Sequence, residues 1–170
     1  MTGHIMTSHQ QEMIDLRCYI CGEPESNNLT REHLGLSPDD KVVMVRIHDP
    51  DHIPARPAID CNEMHCTSFY DVDGDDMSLS SQMAGYDVQY MKPYHAQDIL
   101  SFFEHVNHDN PFMIIHCGYG YSRSPAIALG WALFTGNRQL KHFILGSKEF
   151  HLNRYCFALM REAINEHKTS

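Results

Sequence analysis

Between Pro111 and Phe134 the chain passes through three kinds of sequence without a break. Pro111-Phe112-Met113-Ile114-Ile115 is apolar and partly β-branched. His116-Cys117-Gly118-Tyr119-Gly120-Tyr121-Ser122-Arg123-Ser124 is polar and glycine-bearing. Pro125-Ala126-Ile127-Ala128-Leu129-Gly130-Trp131-Ala132-Leu133-Phe134 is apolar and rich in helix formers, with proline at its start. A buried strand, a tight loop and a helix N-terminus must therefore follow one another directly. That order makes an anion site: successive backbone N–H groups converge while the helix dipole adds partial positive charge.

Inside this cradle lie Cys117 and, six residues later, Arg123. A thiol is a nucleophile only as thiolate, a form that a helix N-terminus and a neighbouring cation favour. Arg123 is permanently charged and planar, so it can hold two oxygens of an oxyanion and follow them into a transition state. Gly118 and Gly120 let the loop adopt positive φ and bring backbone donors close to the anion. Ser124 is placed to donate to the cysteine sulfur and stabilise it as a leaving group. His116 is placed to fix the loop through a ring–backbone hydrogen bond.

His-Cys-x-x-Gly-x-x-Arg-Ser, read from His116 to Ser124, resembles the signature loop of the cysteine-dependent protein tyrosine and dual-specificity phosphatases. The continuation Ser122-Arg123-Ser124-Pro125-Ala126 is similar to the compact dual-specificity and bacterial or phage-type members. Tyr119 departs from the pattern, since the family often has a small residue there. The resemblance implies a cysteinyl-phosphate mechanism without metal or cofactor. Cys117 would be the nucleophile, Gly118, Tyr119, Gly120, Tyr121, Ser122 and Arg123 would bind the phosphate, and Ser124 would assist the thiolate. It is firm over residues 93–135, fair back to residue 41, and weak outside those limits.

At 170 residues the chain is expected to have a loose start at 1–12 and a single domain over 13–170. Hydrophobic residues make up 42% and charged residues 21%, as in an ordinary globular chain. A net charge of −9 disfavours binding to nucleic acid or an anionic membrane. No apolar run is long enough for a membrane span. Met1–Met6 has neither a basic segment nor an apolar core, so no signal peptide is expected there. With one of six cysteines claimed by a reactive-thiol motif, a reducing cytoplasm is the expected location. The thirteen histidines are scattered. The oligomeric state is left open.

Met13–Ile20 alternates well enough to predict a first strand. Cys18-x-x-Cys21-Gly22 resembles a zinc knuckle, and Cys61 with Cys66 and His65 offers a second half, although its spacing is irregular. Thr30–His33 with Gly35 predicts a short helical turn. Lys41–Ile47, dense in β-branched residues, predicts a strand, and Glu63–Tyr70 another. Pro93 opens a helix through about His105, with Ile99, Leu100, Phe102, Phe103 and Val106 on its core face. The helix after the loop stops near Gly136-Asn137. Residues 140–166 read as two helices broken near Gly146. Strands alternating with helices predict an α/β layered domain with a mostly parallel central sheet, and the loop lies at the carboxyl end of a strand.

A phosphatase of this kind also needs a general acid for the leaving group, which the family supplies as an Asp in a loop following a strand. Asp71, in the cluster Asp71-Val72-Asp73-Gly74-Asp75-Asp76, stands where such a loop would begin, 46 residues before Cys117. Asp87, 30 residues before it, fits the spacing of compact members better but has no clear strand ahead of it. Asp71 is favoured, with residues 74–86 read as an insertion. The cluster's start resembles a calcium loop, yet the later ligands and terminal Glu are missing. None of the variable loop residues is basic, which disfavours polyphosphoinositides. The aromatic rim suits an aryl ester, so the expected partner is a phosphorylated protein, phosphotyrosine first, or a small aryl phosphate. Two alternatives stand beside this: a pseudophosphatase that binds phosphorylated partners without turnover, and an interaction module stabilised by zinc on Cys18, Cys21, Cys61 and Cys66.

Overall fold

The computed structural model describes residues 5–73 and 89–170. Their elements in chain order are α1 (Ser8–Asp15), β1 (Cys18–Gly22), α2 (Glu23–Asn28), β2 (Val42–His48), β3 (Glu63–Ser68), α3 (Pro93–Val106), β4 (Phe112–Cys117), α4 (Arg123–Thr135), α5 (Arg138–Gly146) and α6 (Arg154–Thr169), with a 3-10 turn at Asn107–Asp109. The four strands form one parallel sheet in the order β1-β4-β2-β3. This is the α/β architecture that the alternation of strands and helices predicts.

The two central strands, β2 and β4, are covered on both faces. Val42–Ile47 and Phe112–Cys117 are buried without interruption, as continuous apolar runs in parallel sheets require. The edge strand β3 alternates instead, leaving Met64 and Cys66 exposed. Helix α4 is buried from Arg123 to Ala132 and packs on β4 and β1, while α6 packs on both α4 and α3. Helix α3 buries Ile99, Leu100, Phe103 and Val106, with Phe102 half-buried. β4 is thus buried between β1 and β2 and under α4, and the loop leaves from its carboxyl end.

The start of the chain differs from expectation. Residues 8–15 are helical, where a loose start and then a strand from Met13 were expected, and β1 begins only at Cys18. The Thr7 hydroxyl accepts from the Gln10 N–H, and the Gln10 side chain accepts from the Thr7 N–H. This reciprocal cap outweighs the weak apolar pattern, and Met13 anchors the helix in the core. Among the described residues no helix is long and apolar enough to cross a membrane.

Candidate active site

The loop from Cys117 to Ser122 joins β4 to α4 at the centre of the sheet. Cys117 is 2% exposed. The Gly120 N–H donates to its sulfur at 3.3 Å, and the Ser124 hydroxyl lies 3.2 Å from it. Two polar groups thus converge on one buried sulfur. Gly120 has φ +86°, and a Cβ there would lie 2.3 Å from the Gly22 nitrogen and 2.4 Å from the Cys21 carbonyl carbon. A Cβ on Gly22 would in turn lie 2.9 Å from the Tyr119 carbonyl oxygen. Loop and strand end therefore meet backbone to backbone, and only glycine fits on either side. The Glu23 N–H closes the contact by donating to the Gly118 carbonyl at 3.2 Å.

Gly22 therefore has a different role from the one its Cys-x-x-Cys-Gly setting suggests. Cys18 and Cys21 are buried in β1, and burial pushes the Cys18 thiol up to about 12. Cys61 and Cys66 belong to the neighbourhood of β3, at the opposite edge of the sheet. Two strands intervene, and at about 4.8 Å per strand the two pairs are too far apart to share one metal ion. His65 stacks on Phe102, with centroids 5.6 Å apart. The zinc-stabilised module is thereby excluded as a reading of these four cysteines.

Arg123 opens α4 and is 4% exposed. One edge of its guanidinium is anchored: Nη1 donates to Asp49 Oδ1 at 2.8 Å and to the Phe69 carbonyl at 2.7 Å. The other edge is not, since Nε is buried without a partner among the described residues. Nη2 lies 3.5 Å from where a Cβ on Gly118 would be, which places that edge against the loop. A planar cation so held presents two parallel donors, which matches two oxygens of a phosphoryl group.

Asp71 follows β3 and reaches this loop. Its Oδ1 accepts from the Ser122 hydroxyl and from Asn153 Nδ2, both at 2.7 Å. Oδ2 carries no bond to a described residue. Asp87 lies outside the described residues. Tyr119 and Tyr121 stack at the rim with centroids 5.8 Å apart, and Tyr119 is 81% exposed. Its bulk, where small residues are common in the family the motif resembles, is thus directed outward and leaves the interior of the cradle clear.

Two contributors escaped sequence reasoning. Asn153 is 1% exposed and ties three segments together. Its side-chain amide donates to Asp71 and to the Val72 carbonyl, its N–H donates to the Ser122 carbonyl at 3.1 Å, and its Oδ1 caps α6 by accepting from the Cys156 N–H. The only sequence signal was its position as a good helix N-cap before an apolar run. The second is Arg46 on β2, buried and without a carboxylate partner among the described residues. Its Nε donates to His116 Nε2 at 2.8 Å, and Nη2 donates to the Ala55 carbonyl at 2.6 Å.

That contact settles the state of His116. Burial, and then the Arg46 charge, push its pKa down from 6.5 to about 4, so the ring is neutral and accepts from Arg46 at Nε2. An unfolded chain takes up a proton near pH 6.5 that the folded one refuses until about pH 4. This contribution to stability is complete above pH 6.5 and is lost as pH falls toward 4, an effect of about 3 kcal/mol. His116→Gln, whose amide oxygen can still accept from Arg46 but cannot titrate, should lose less stability over that window. Urea unfolding at pH 7, 5.5 and 4.5 measures the difference; equal slopes for both proteins would contradict the assignment.

No protein-family model matches the sequence, and no curated protein matches it either. Solved structures do resemble it. A variant of human DUSP28 aligns with a TM-score of 0.62 at 9% identity, covering 92% of this chain and 94% of that one. Human DUSP28 itself gives 0.58 at 11% identity, over 92% and 96%. The human tyrosine phosphatase-like serine/threonine/tyrosine-interacting protein gives 0.52 at 12% identity, over 92% and 93%. At these identities the likeness concerns the fold, and it extends well beyond the nine residues of the loop. The chain has the fold of the protein tyrosine and dual-specificity phosphatases.

Proposed function

We propose that this chain is a phosphomonoester hydrolase acting on phosphorylated protein, phosphotyrosine first, through a cysteinyl-phosphate intermediate. The observation that carries the reading is the pairing of one buried sulfur, which Gly120 N–H and Ser124 Oγ approach, with an arginine whose second donor edge is free beside it. The substrate dianion sits in the loop amides and on Nε and Nη2 of Arg123. The Cys117 thiolate attacks phosphorus in line, the S–P bond forms as the P–O ester bond breaks, and Asp71 gives its proton to the departing oxygen. Water then attacks phosphorus with Asp71 as base, and the thiolate leaves, stabilised by the Ser124 hydroxyl. Asn153 and Ser122 hold Oδ1 of Asp71, which turns Oδ2 into the proton-carrying oxygen.

The alternative of phosphoprotein binding without turnover draws on one observation: this fold is shared with a human protein whose name is phosphatase-like and interacting. Both readings use the same cradle and differ only in chemistry. The test is hydrolysis of a generic aryl phosphate near pH 6 with a chelator present. Turnover is expected, with Asp71→Asn lowering kcat by about 10²–10⁴-fold and Asp87→Asn leaving it near wild type. The reverse order of the two variants would reassign the acid. Oxyanion binding without any turnover in the folded wild type would leave the binding-only reading in possession.

A further inference from the structure

In the strand order β1-β4-β2 the loop leaves β4 in the middle, α2 starts where β1 ends on one side, and the segment from Asp49 leaves β2 on the other. The two outer segments are joined across the central one. His52 Nε2 donates to Glu23 Oε2 at 2.8 Å, and the Ala55 N–H donates to Glu23 Oε1 at 3.4 Å. Glu23 also holds the loop itself, through its N–H on the Gly118 carbonyl at 3.2 Å. Its side chain is 17% exposed, against 54% for His52. Burial alone would push the Glu23 carboxyl up; the His52 ring and the Ala55 N–H outweigh it and hold the group below the ordinary carboxylate value.

The segment that Glu23 holds is short and tied within itself. The Asp49 carbonyl accepts from the His52 N–H and from His48 Nδ1, both at 3.0 Å, and the Ala55 carbonyl accepts from Arg46 at 2.6 Å. At the start of the segment the Asp49 carboxylate, 44% exposed, accepts from Arg123 Nη1. A carboxylate that open to solvent orients a guanidinium only as well as its own backbone is fixed. Building on the phosphatase reading above, we propose that Glu23 is a positioning residue of the reaction: by latching His52 and Ala55 it fixes the Asp49 segment, and with it the edge that Arg123 turns to the phosphoryl group. Glu23 touches no reacting atom and acts through Asp49 and Arg123. Its backbone and side chain together set the loop and the arginine in one frame.

Glu23→Ala and His52→Ala each remove the latch, and neither deletes the backbone contact between Glu23 and Gly118. Each should lower kcat/KM for an aryl phosphate by about tenfold and weaken vanadate binding by a similar factor. The double variant should lose no more than either single one. Glu23→Ala should also cost little in an Asp49→Asn background, because residues in one chain of contacts do not act additively. A lower Tm with kcat/KM and vanadate affinity unchanged, or losses that multiply in both double variants, would overturn the proposal. The wild type separates this from failure of the reading beneath it. If it hydrolyses the ester and both single variants match it, only the latch is wrong. If it neither hydrolyses the ester nor binds vanadate, the phosphatase reading falls and this inference with it.

Discussion

Cys117→Ser should abolish hydrolysis of an aryl phosphate, by at least about 10⁴-fold, while an oxyanion such as vanadate still binds non-covalently. The serine hydroxyl remains protonated at neutral pH, so no nucleophile is present, and the charge stabilisation that Gly120 N–H and Ser124 Oγ offer to sulfur has nothing to act on. The change is small and buried, at a position 2% exposed, and the loop is held by Gly22, Glu23 and Asn153 rather than by the sulfur. Folding should survive. Substrate affinity should be equal or higher, because a thiolate repels the incoming dianion and a hydroxyl does not. Activity within tenfold of wild type would remove Cys117 from the chemistry.

The second large effect is expected at Arg123. Arg123→Lys keeps the charge and should still lower kcat by about 10²–10³-fold, the loss typical of removing one oriented donor from a developing anion. An ammonium cannot reach Asp49 Oδ1 and the Phe69 carbonyl on one side and two phosphoryl oxygens on the other. Under the proposed function the guanidinium does both, because the edge that carries Nη1 is anchored and Nε on the other is without a partner among the described residues. A purely structural role would give a different result: a lower Tm with kcat unchanged. Steady-state kinetics beside thermal unfolding distinguish the two.

How much of this was legible in the sequence follows from how local each feature is. The loop lies within nine consecutive residues, so its glycines, cysteine and arginine announce themselves together, directly after an apolar strand. Strands β2 and β4 were equally plain, since burial on both faces leaves no polar alternation to confuse them. Helix α1 was missed because its stability comes from a Thr7–Gln10 cap rather than from an apolar stripe. Features that depend on strand order were out of reach. The Arg46–His116 contact spans 70 residues and exists because β2 and β4 pair in register at those positions. The same ordering puts β1 and β3 at opposite edges, which separates two cysteine pairs that look in sequence like halves of one site. Asn153 reaches Asp71 across 82 residues, through the loop segment between α5 and α6, and nothing near Asn153 in sequence points to an acid.

Gly22 shows how a correct residue can carry a wrong inference. Its place after Cys-x-x-Cys resembles a metal knuckle, yet the steric demand comes from Tyr119 and Gly120 on the other side. The anion cradle is thus built by two segments nearly 100 residues apart, and each contributes a glycine because neither backbone can move away.

The covalent intermediate is the centre of this account, and trapping it is the most direct test. Wild type and Asp71→Asn would be mixed with an aryl phosphate, quenched within the first turnovers, digested and examined by mass spectrometry. The account predicts one added phosphoryl group on the peptide containing Cys117 in both proteins, and none in Cys117→Ser. Continued turnover with Cys117 never phosphorylated, or with the phosphoryl group on another residue, would contradict it.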